Sequence, residues 1–206
     1  MIRGALIVVE GCDRSGKTTQ CKKLVNLLKN IDIPAEYMNF PDRRTPIGKL
    51  INDYLTKKED FPDKAIHLLF SANRWETVHK IEKSLLQGTT VIIDRYAFSG
   101  VAFSAVKPGL DLEWCKQPDS GLPKPDLVLL LNLTPEAQRA RGGFGAERYE
   151  KDEIQRKVIE IYKTLQDSSW KEIDADKSEE ELTEELLSHI TETVNESKLL
   201  PLGKLW

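Results

Sequence analysis

The sequence predicts an α/β fold in which a doubly wound parallel sheet of five strands lies between layers of helices. Three observations predict it. Short apolar runs alternate with longer amphipathic stretches, the order produced by right-handed strand–helix–strand units. Two of those runs, VIID and LVLLLNL, are continuously apolar, as in parallel strands covered on both faces. A Gly-x-x-x-x-Gly-Lys-Thr motif, GCDRSGKT at 11–18, joins the first apolar run to the first amphipathic stretch.

Taken in order, ALIVV (5–9) is the first strand, and the motif follows it. A helix over 18–30 places Cys21, Leu24, Val25 and Leu28 on one face. A second strand covers 36–40, and one long amphipathic helix is expected over 65–87, stopped by Gly88 in the C-cap position. The third strand is 89–94. The turn GLPKPD (121–126) delivers the chain into the fourth strand, 126–133. A helix over 151–166, a weakly marked strand over 171–174 and a helix over 178–195 complete the set. Ser178 and Glu181 have the spacing of a capping box at the start of that last helix. No repeat or low-complexity linker interrupts the order, so residues 1–206 are expected to form a single domain. The segment KPGLDLEWCKQPDS (107–120) reads as loop and receives no role.

Composition narrows the function classes. Of 206 residues, 40% are hydrophobic and 31% charged, which suits a globular chain with a sizeable core. The formal net charge of -3 argues against a nucleic-acid binder, so any anion must be met by local arginines and lysines. Cys12, Cys21 and Cys115 lack metal-ligand spacing and read as reduced thiols of an intracellular protein, cytoplasmic or nuclear. No run reaches the length of a membrane span, and no membrane partner is expected.

The glycine-rich loop carries the chemistry. Backbone N–H groups from Gly11 through Ser15 and Gly16 to Thr18, with Thr19 behind them, can turn toward a phosphate at the positive end of the following helix. Lys17 reaches toward β- and γ-phosphates, and Thr18 offers its hydroxyl to Mg²⁺. Asp13 and Arg14 are unexpected there, an acid and a base inside a cradle for polyanions. No Asn-Lys-x-Asp stretch reads guanine, which argues against a GTPase and for phosphoryl transfer to a small acceptor. Such transfer needs a second anion site. Arg43 and Arg95 each follow a strand, where open α/β sheets collect ligands, and Arg141 lies by a glycine-rich segment. Taken singly, each is as readily a surface residue. Phe70 and Arg74, four apart on one helix face, can stack on and hydrogen-bond a nucleobase, or be ordinary core with a polar edge.

VIIDRYAFSGVAFS (91–104) is similar to the signature segment of thymidylate kinases. FPDRRTPIGKLI (40–51), HLLFSANRWE (67–76), GLPKPDLV (121–128), FGAERYE (144–150) and the tail PLGKLW (201–206) resemble further blocks of that family, in the same order. The resemblance is to the eukaryotic or large-DNA-virus type, which carries an arginine in its phosphate loop. It implies the P-loop nucleoside monophosphate kinase fold, ATP as donor, dTMP as acceptor, Mg²⁺ as cofactor and a homodimer. Arg14 is then implied to contact the transferring phosphoryl, and Asp13 the acceptor's 3′-hydroxyl. Arg43 and Arg95 would hold the acceptor phosphate, with Phe40 in the same pocket. Phe70 would stack on thymine and Arg74 would bond its carbonyl edge. Ser99, Gly100 and Phe103 would line base and sugar, with Tyr149 closing over the deoxyribose. Asp94 would support Mg²⁺ through water. A lid is implied over about 141–150, with Arg141 near adenine, Gly142, Gly143, Phe144 and Gly145 supplying flexibility, and Glu147 and Arg148 near the phosphates. Lys177 would lie by the adenine. The chain departs from the family's usual pattern at Asp42, where glutamate is commoner and a shorter carboxylate results near Arg43.

Two other classes remain at this stage. A deoxynucleoside kinase would use Asp94 as the base for a 5′-hydroxyl, and the Asp94–Arg95 pair alone does not decide against it. A regulatory nucleotide binder without turnover would retain the loop but transfer nothing.

Overall fold

A computed structural model describes residues 2–140 and 147–206. Strand β1 (Leu6–Gly11) lies at the centre of the sheet, entirely buried. Around it run β2 (Ala35–Asn39), β3 (Thr90–Asp94), β4 (Leu127–Asn132) and β5 (Trp170–Asp174), in the order β2-β3-β1-β4-β5 and all parallel. The continuous apolar runs are β3 and β4, and helices cover both faces. On one face α1 (Lys17–Asn30) and the C-terminal α9 (Glu179–Ser197) bury Leu24, Leu28, Leu186 and Ile190 against Ile7, Val9 and Leu129. On the other, Leu6, Val8, Ile93 and Leu130 meet side chains of α4 (Val78–Leu86), α5 (Ala97–Ala105) and α8 (Asp152–Leu165). The remaining helices are α2 (Pro46–Leu55), α3 (Asp63–Trp75), α6 (Leu112–Lys116) and α7 (Pro135–Ala140), with a 3₁₀ turn at Gln117–Asp119.

The five expected strands are all present, with bounds shifted by one or two residues. The capping box forms in full, Ser178 taking the Glu181 N–H and Glu181 reaching back to Ser178. The long helix over 65–87 is a correction: it is two helices, parted at Glu76 and Thr77. Glu76 accepts hydrogen bonds from Thr45 Oγ1 (2.7 Å) and Asn73 Nδ2 (2.6 Å), which ties the break to the chain entering α2. The break lets the two halves face different ways. α4 buries Val78, Ile81 and Leu85 against the sheet, while α3 buries His67, Ser71 and Arg74 beside a cleft. The segment 107–120 is also more ordered than expected, carrying α6 and the 3₁₀ turn.

The strand order reverses about β1, and β1, β2 and β3 all end at one edge, where open parallel sheets form ligand crevices. Among the described residues, no helix is long and apolar enough to cross a membrane.

Candidate active site

Two cavities meet at the loop between β1 and α1. The backbone of that loop explains its glycines. Gly11 has φ +142°, and a Cβ there would lie 2.5 Å from the Leu131 carbonyl oxygen, so no larger residue fits. Gly16 precedes α1 in the left-handed region at φ 91°, and Arg14 shares that region at φ 67°. Lys17, the first residue of α1, is buried, and its Nζ donates to the Cys12 carbonyl (2.5 Å) and Ser15 Oγ (3.2 Å). Burial, and then the positive charge of Arg95, lower its pKa to about 8. One cavity, of about 530 Å³, is lined by Gly16, Lys17, Thr18, Thr19 and Lys177, beside Leu182 of α9. Lys177 is held there by Glu185 at 2.6 Å.

The other cavity, of about 480 Å³, runs from the same loop to α3 and α5. Arg95, immediately after β3 and at φ 64°, crosses its floor. Its Nη2 pairs with Asp13 at 2.5 Å, and its Nη1 donates to the Gly11 carbonyl and Ser99 Oγ, both at 3.1 Å. Phe103 lies against the guanidinium, 5.4 Å from its ring centroid. Thr18 Oγ1 donates to the Asp94 carboxylate, so the hydroxyl and acid proposed for a metal are in direct contact. Arg43 also lines this cavity, bonded to Asn52 (3.0 Å) and paired with Glu147 (2.8 Å). Phe40, Phe70, Arg74, Gly100 and Tyr149 complete the lining. Tyr149 packs on Phe103 at 5.3 Å and donates to Tyr54 Oη at 3.3 Å.

Several site residues escaped the sequence reading. Asp119, in the segment left without a role, holds Arg74 through two bonds, at 3.0 Å from Nε and 2.6 Å from Nη2; both side chains are buried. Gly100 is small because a Cβ would come within 2.7 Å of that guanidinium. Gln155 of α8 clamps Asp13, accepting from its N–H (3.1 Å) and donating to its carboxylate (2.7 Å). Gln138 of α7 donates to the Asp13 carbonyl at 2.7 Å. Glu10, the last side chain before the glycine loop, is fully buried. It accepts from the N–H groups of Tyr96 and Ser99, at 2.9 and 3.1 Å, and from the hydroxyls of Ser99 and Tyr162, at 2.6 and 3.0 Å. Only Glu10 gave a signal, an acid closing an apolar strand, which must find partners if buried.

Two expectations are corrected. Arg148 borders neither cavity; it bonds the Tyr54 and Glu59 carbonyls and Asp60 near the C-terminal end of α2, where carbonyls attract a cation. Asp42 pairs with Arg44, at 2.8 Å, rather than standing by Arg43. Of the expected lid, Arg141, Gly142, Gly143, Phe144 and Gly145 lie outside the described residues. Its end is described: Glu147 reaches Arg43, and Glu150 lies 3.5 Å from Arg14.

A family model described as thymidylate kinase matches residues 9–186. The chain belongs to the thymidylate kinase family. A thymidylate kinase of Arabidopsis thaliana is 52% identical over 99% of this chain and 78% of that one. One from Homo sapiens is 49% identical over 99% and 98% respectively. The solved structure of the Candida albicans thymidylate kinase superposes with a TM-score of 0.89 at 38% identity, covering all of both chains. The five-stranded parallel sheet flanked by helices thus matches the fold of that solved kinase.

Proposed function

We propose that the chain makes dTDP by direct in-line transfer of the γ-phosphoryl of ATP to the phosphate of dTMP, with both nucleotides in the joined cavities. The overall reaction, ATP-dependent phosphorylation of dTMP on the way to dTTP, follows from family membership. The observation that carries the placement is the Asp13–Arg95 pair, which joins the glycine loop of the donor cavity to the floor of the acceptor cavity.

The acceptor phosphate, with a second pKa of about 6, is already an anionic nucleophile at neutral pH, so no side chain need remove a proton. The work left to the protein is to bring two polyanions together and offset their charge. Lys17 and the loop amides take the β- and γ-phosphates; Arg95 and Arg43 take the acceptor phosphate from either side; Arg14 bridges to the phosphoryl in flight. Thr18 and Asp94 supply oxygen donors suited to Mg²⁺, which keeps most of its waters and needs few protein ligands. Bound there, that ion would offset charge on the β- and γ-phosphates. Phe70 and Arg74 face the thymine, and Asp13, held by Gln155, takes the 3′-hydroxyl. Lys177 and residues behind Thr19 border the adenine side.

The chain is proposed to work as one domain, with the segment around 141–150 as its lid; Glu147 and Glu150 tie that segment's end to Arg43 and Arg14. A homodimer through α2 and α3 is supported by the exposed side chains of Leu50, Leu68 and Trp75. The test is ADP release with Mg-ATP against dTMP and thymidine. Turnover of dTMP alone is expected; turnover of thymidine alone would move Asp94 to the role of catalytic base.

A further inference from the structure

Ser104 lines the base end of the acceptor cavity beside Arg74 and Phe70, and nothing so far uses it. Behind it lies His67, fully buried on α3. The His67 ring makes two hydrogen bonds: Nε2 with the Cys115 carbonyl at 3.0 Å and Nδ1 with Ser104 Oγ at 2.8 Å. A carbonyl can only accept, so Nε2 carries a proton. In a neutral ring Nδ1 is then bare and must accept, which makes the Ser104 hydroxyl the donor to it. Its single proton spent on His67, Ser104 turns only lone pairs toward the cleft. The neutral ring is favoured by its surroundings: burial lowers the His67 pKa, and the nearby Arg74 charge lowers it further, outweighing Asp119 and the Cys115 and Gly100 carbonyls.

We propose that His67 is a positioning residue for base choice, fixing Ser104 as a hydrogen-bond acceptor that reads the N3–H of thymine or uracil. Beside it Arg74, pinned by Asp119 through Nε and Nη2, can present only donors to the O4 carbonyl. Acceptor and donor are thus set side by side before a nucleotide arrives. Cytosine offers the reverse pattern, a bare N3 and an amino group, so both contacts would oppose like against like. His67 acts wholly through Ser104, at one remove from the base. The inference rests on the placement of thymine proposed above.

The test compares kcat/KM for dTMP, dUMP and dCMP with Mg-ATP, because dUMP and dCMP differ only on the edge in question. The full chain is compared with Ser104→Ala, His67→Phe and the double variant. Ser104→Ala is expected to narrow the dUMP-to-dCMP ratio about tenfold, the worth of one well-made hydrogen bond in a buried site. His67→Phe frees the serine hydroxyl to turn and donate, so the ratio narrows by a similar factor through a rise with dCMP. The double variant should go no further than Ser104→Ala, as expected of residues acting in series. If His67→Phe lowers dUMP and dCMP turnover equally, the role is structural only and the proposal fails. Should that variant not fold, ¹⁵N NMR of the unaltered chain decides: the Nε2–H tautomer at neutral pH upholds the proposal, while an Nδ1–H or doubly protonated ring overturns it. Failure of the unaltered chain to phosphorylate dTMP would instead overturn the proposed function, and this inference with it.

Discussion

Asp13 and Arg14 are neighbours in the loop, yet they do not pair with each other. Asp13 is held by Arg95, Gln155 and Gln138, whereas Arg14 turns to Glu150. Each charge has its own partner, which is how an acid and a base coexist in a phosphate cradle. With Asp13 fixed and Arg14 half-exposed, Arg14 is the one able to follow a moving phosphoryl. Arg14→Ala is therefore expected to lower kcat by 10³-fold or more, the range for a transition-state arginine, with dTMP KM little changed. Steady-state kinetics check it, and a loss confined to KM would remove Arg14 from the transition state. Lys17 yields a second outcome. Held at about 8, chiefly by burial, it is increasingly neutral in the free protein above that pH. A triphosphate restores the charge, so ATP binding at pH 8.5 should take up protons and weaken as pH climbs further; at pH 7 the lysine is charged in both states and contributes no uptake. Calorimetry in buffers of differing ionisation heat measures this. Without ligand, the buried ammonium opposes folding below pH 8, and that penalty is relieved between 8 and the ordinary value of 10.5.

At the scale of elements, one contact aligns the floor of the second cavity: β1 sends Glu10 under the first turn of α5, where its carboxylate receives two backbone N–H groups that the helix itself cannot satisfy. The same carboxylate holds Ser99, which holds Arg95. Glu10→Ala would leave these buried donors unpaired, and about 2–4 kcal/mol of stability should be lost, read from urea unfolding. A loss under about 0.5 kcal/mol would mean that water replaces the carboxylate. The strands were legible in the sequence because burial on both faces leaves unbroken apolar runs such as VIID. The split between α3 and α4 was not legible, because the helical stripe continues through Glu76 and Thr77 without a Gly or Pro. What divides it is a pair of side-chain bonds to Thr45 and Asn73, one of them 31 residues away in the chain. For the same reason α5 went unread, since Tyr96 at its start is capped by a carboxylate from another strand. α2 does carry a local start signal, Thr45 accepting from the Gly48 N–H with Pro46 after it, which the sequence reading passed over.

Over the whole molecule, a chain of net charge -3 must bind two polyanions, and it keeps its cleft arginines by pairing them with its own acids. Arg43 and Arg95 were legible because they follow strand ends, and Arg74 because it shares a helix face with Phe70. Their acids were not, since Glu147 lies 104 residues from Arg43 and Asp119 lies 45 from Arg74. Burial decides which pairs endure when a nucleotide enters. Arg74 and Asp119 are 2% and 0% exposed, and parting them would strand a charge at about 3–5 kcal/mol, so that pair is permanent. Arg43 and Glu147 are 39% and 34% exposed, which limits their pairing to about 1 kcal/mol or less. A dianionic phosphate can displace so weak a partner, and in doing so it releases the segment that carries Glu147. With the acceptor phosphate at Arg43, as proposed, its binding is expected to be linked to movement of the proposed lid. Glu147→Gln removes the competing charge, so dTMP should bind about two- to fivefold more tightly at low salt, an advantage that shrinks as salt screens the exposed pair. Titration calorimetry across salt concentrations measures it, with Arg43→Ala as the control that abolishes the gain. Equal affinity for the Gln variant and the unaltered chain at low salt would mean that Glu147 does not compete with the acceptor phosphate, and the link between acceptor and lid would have to run through Tyr149 instead.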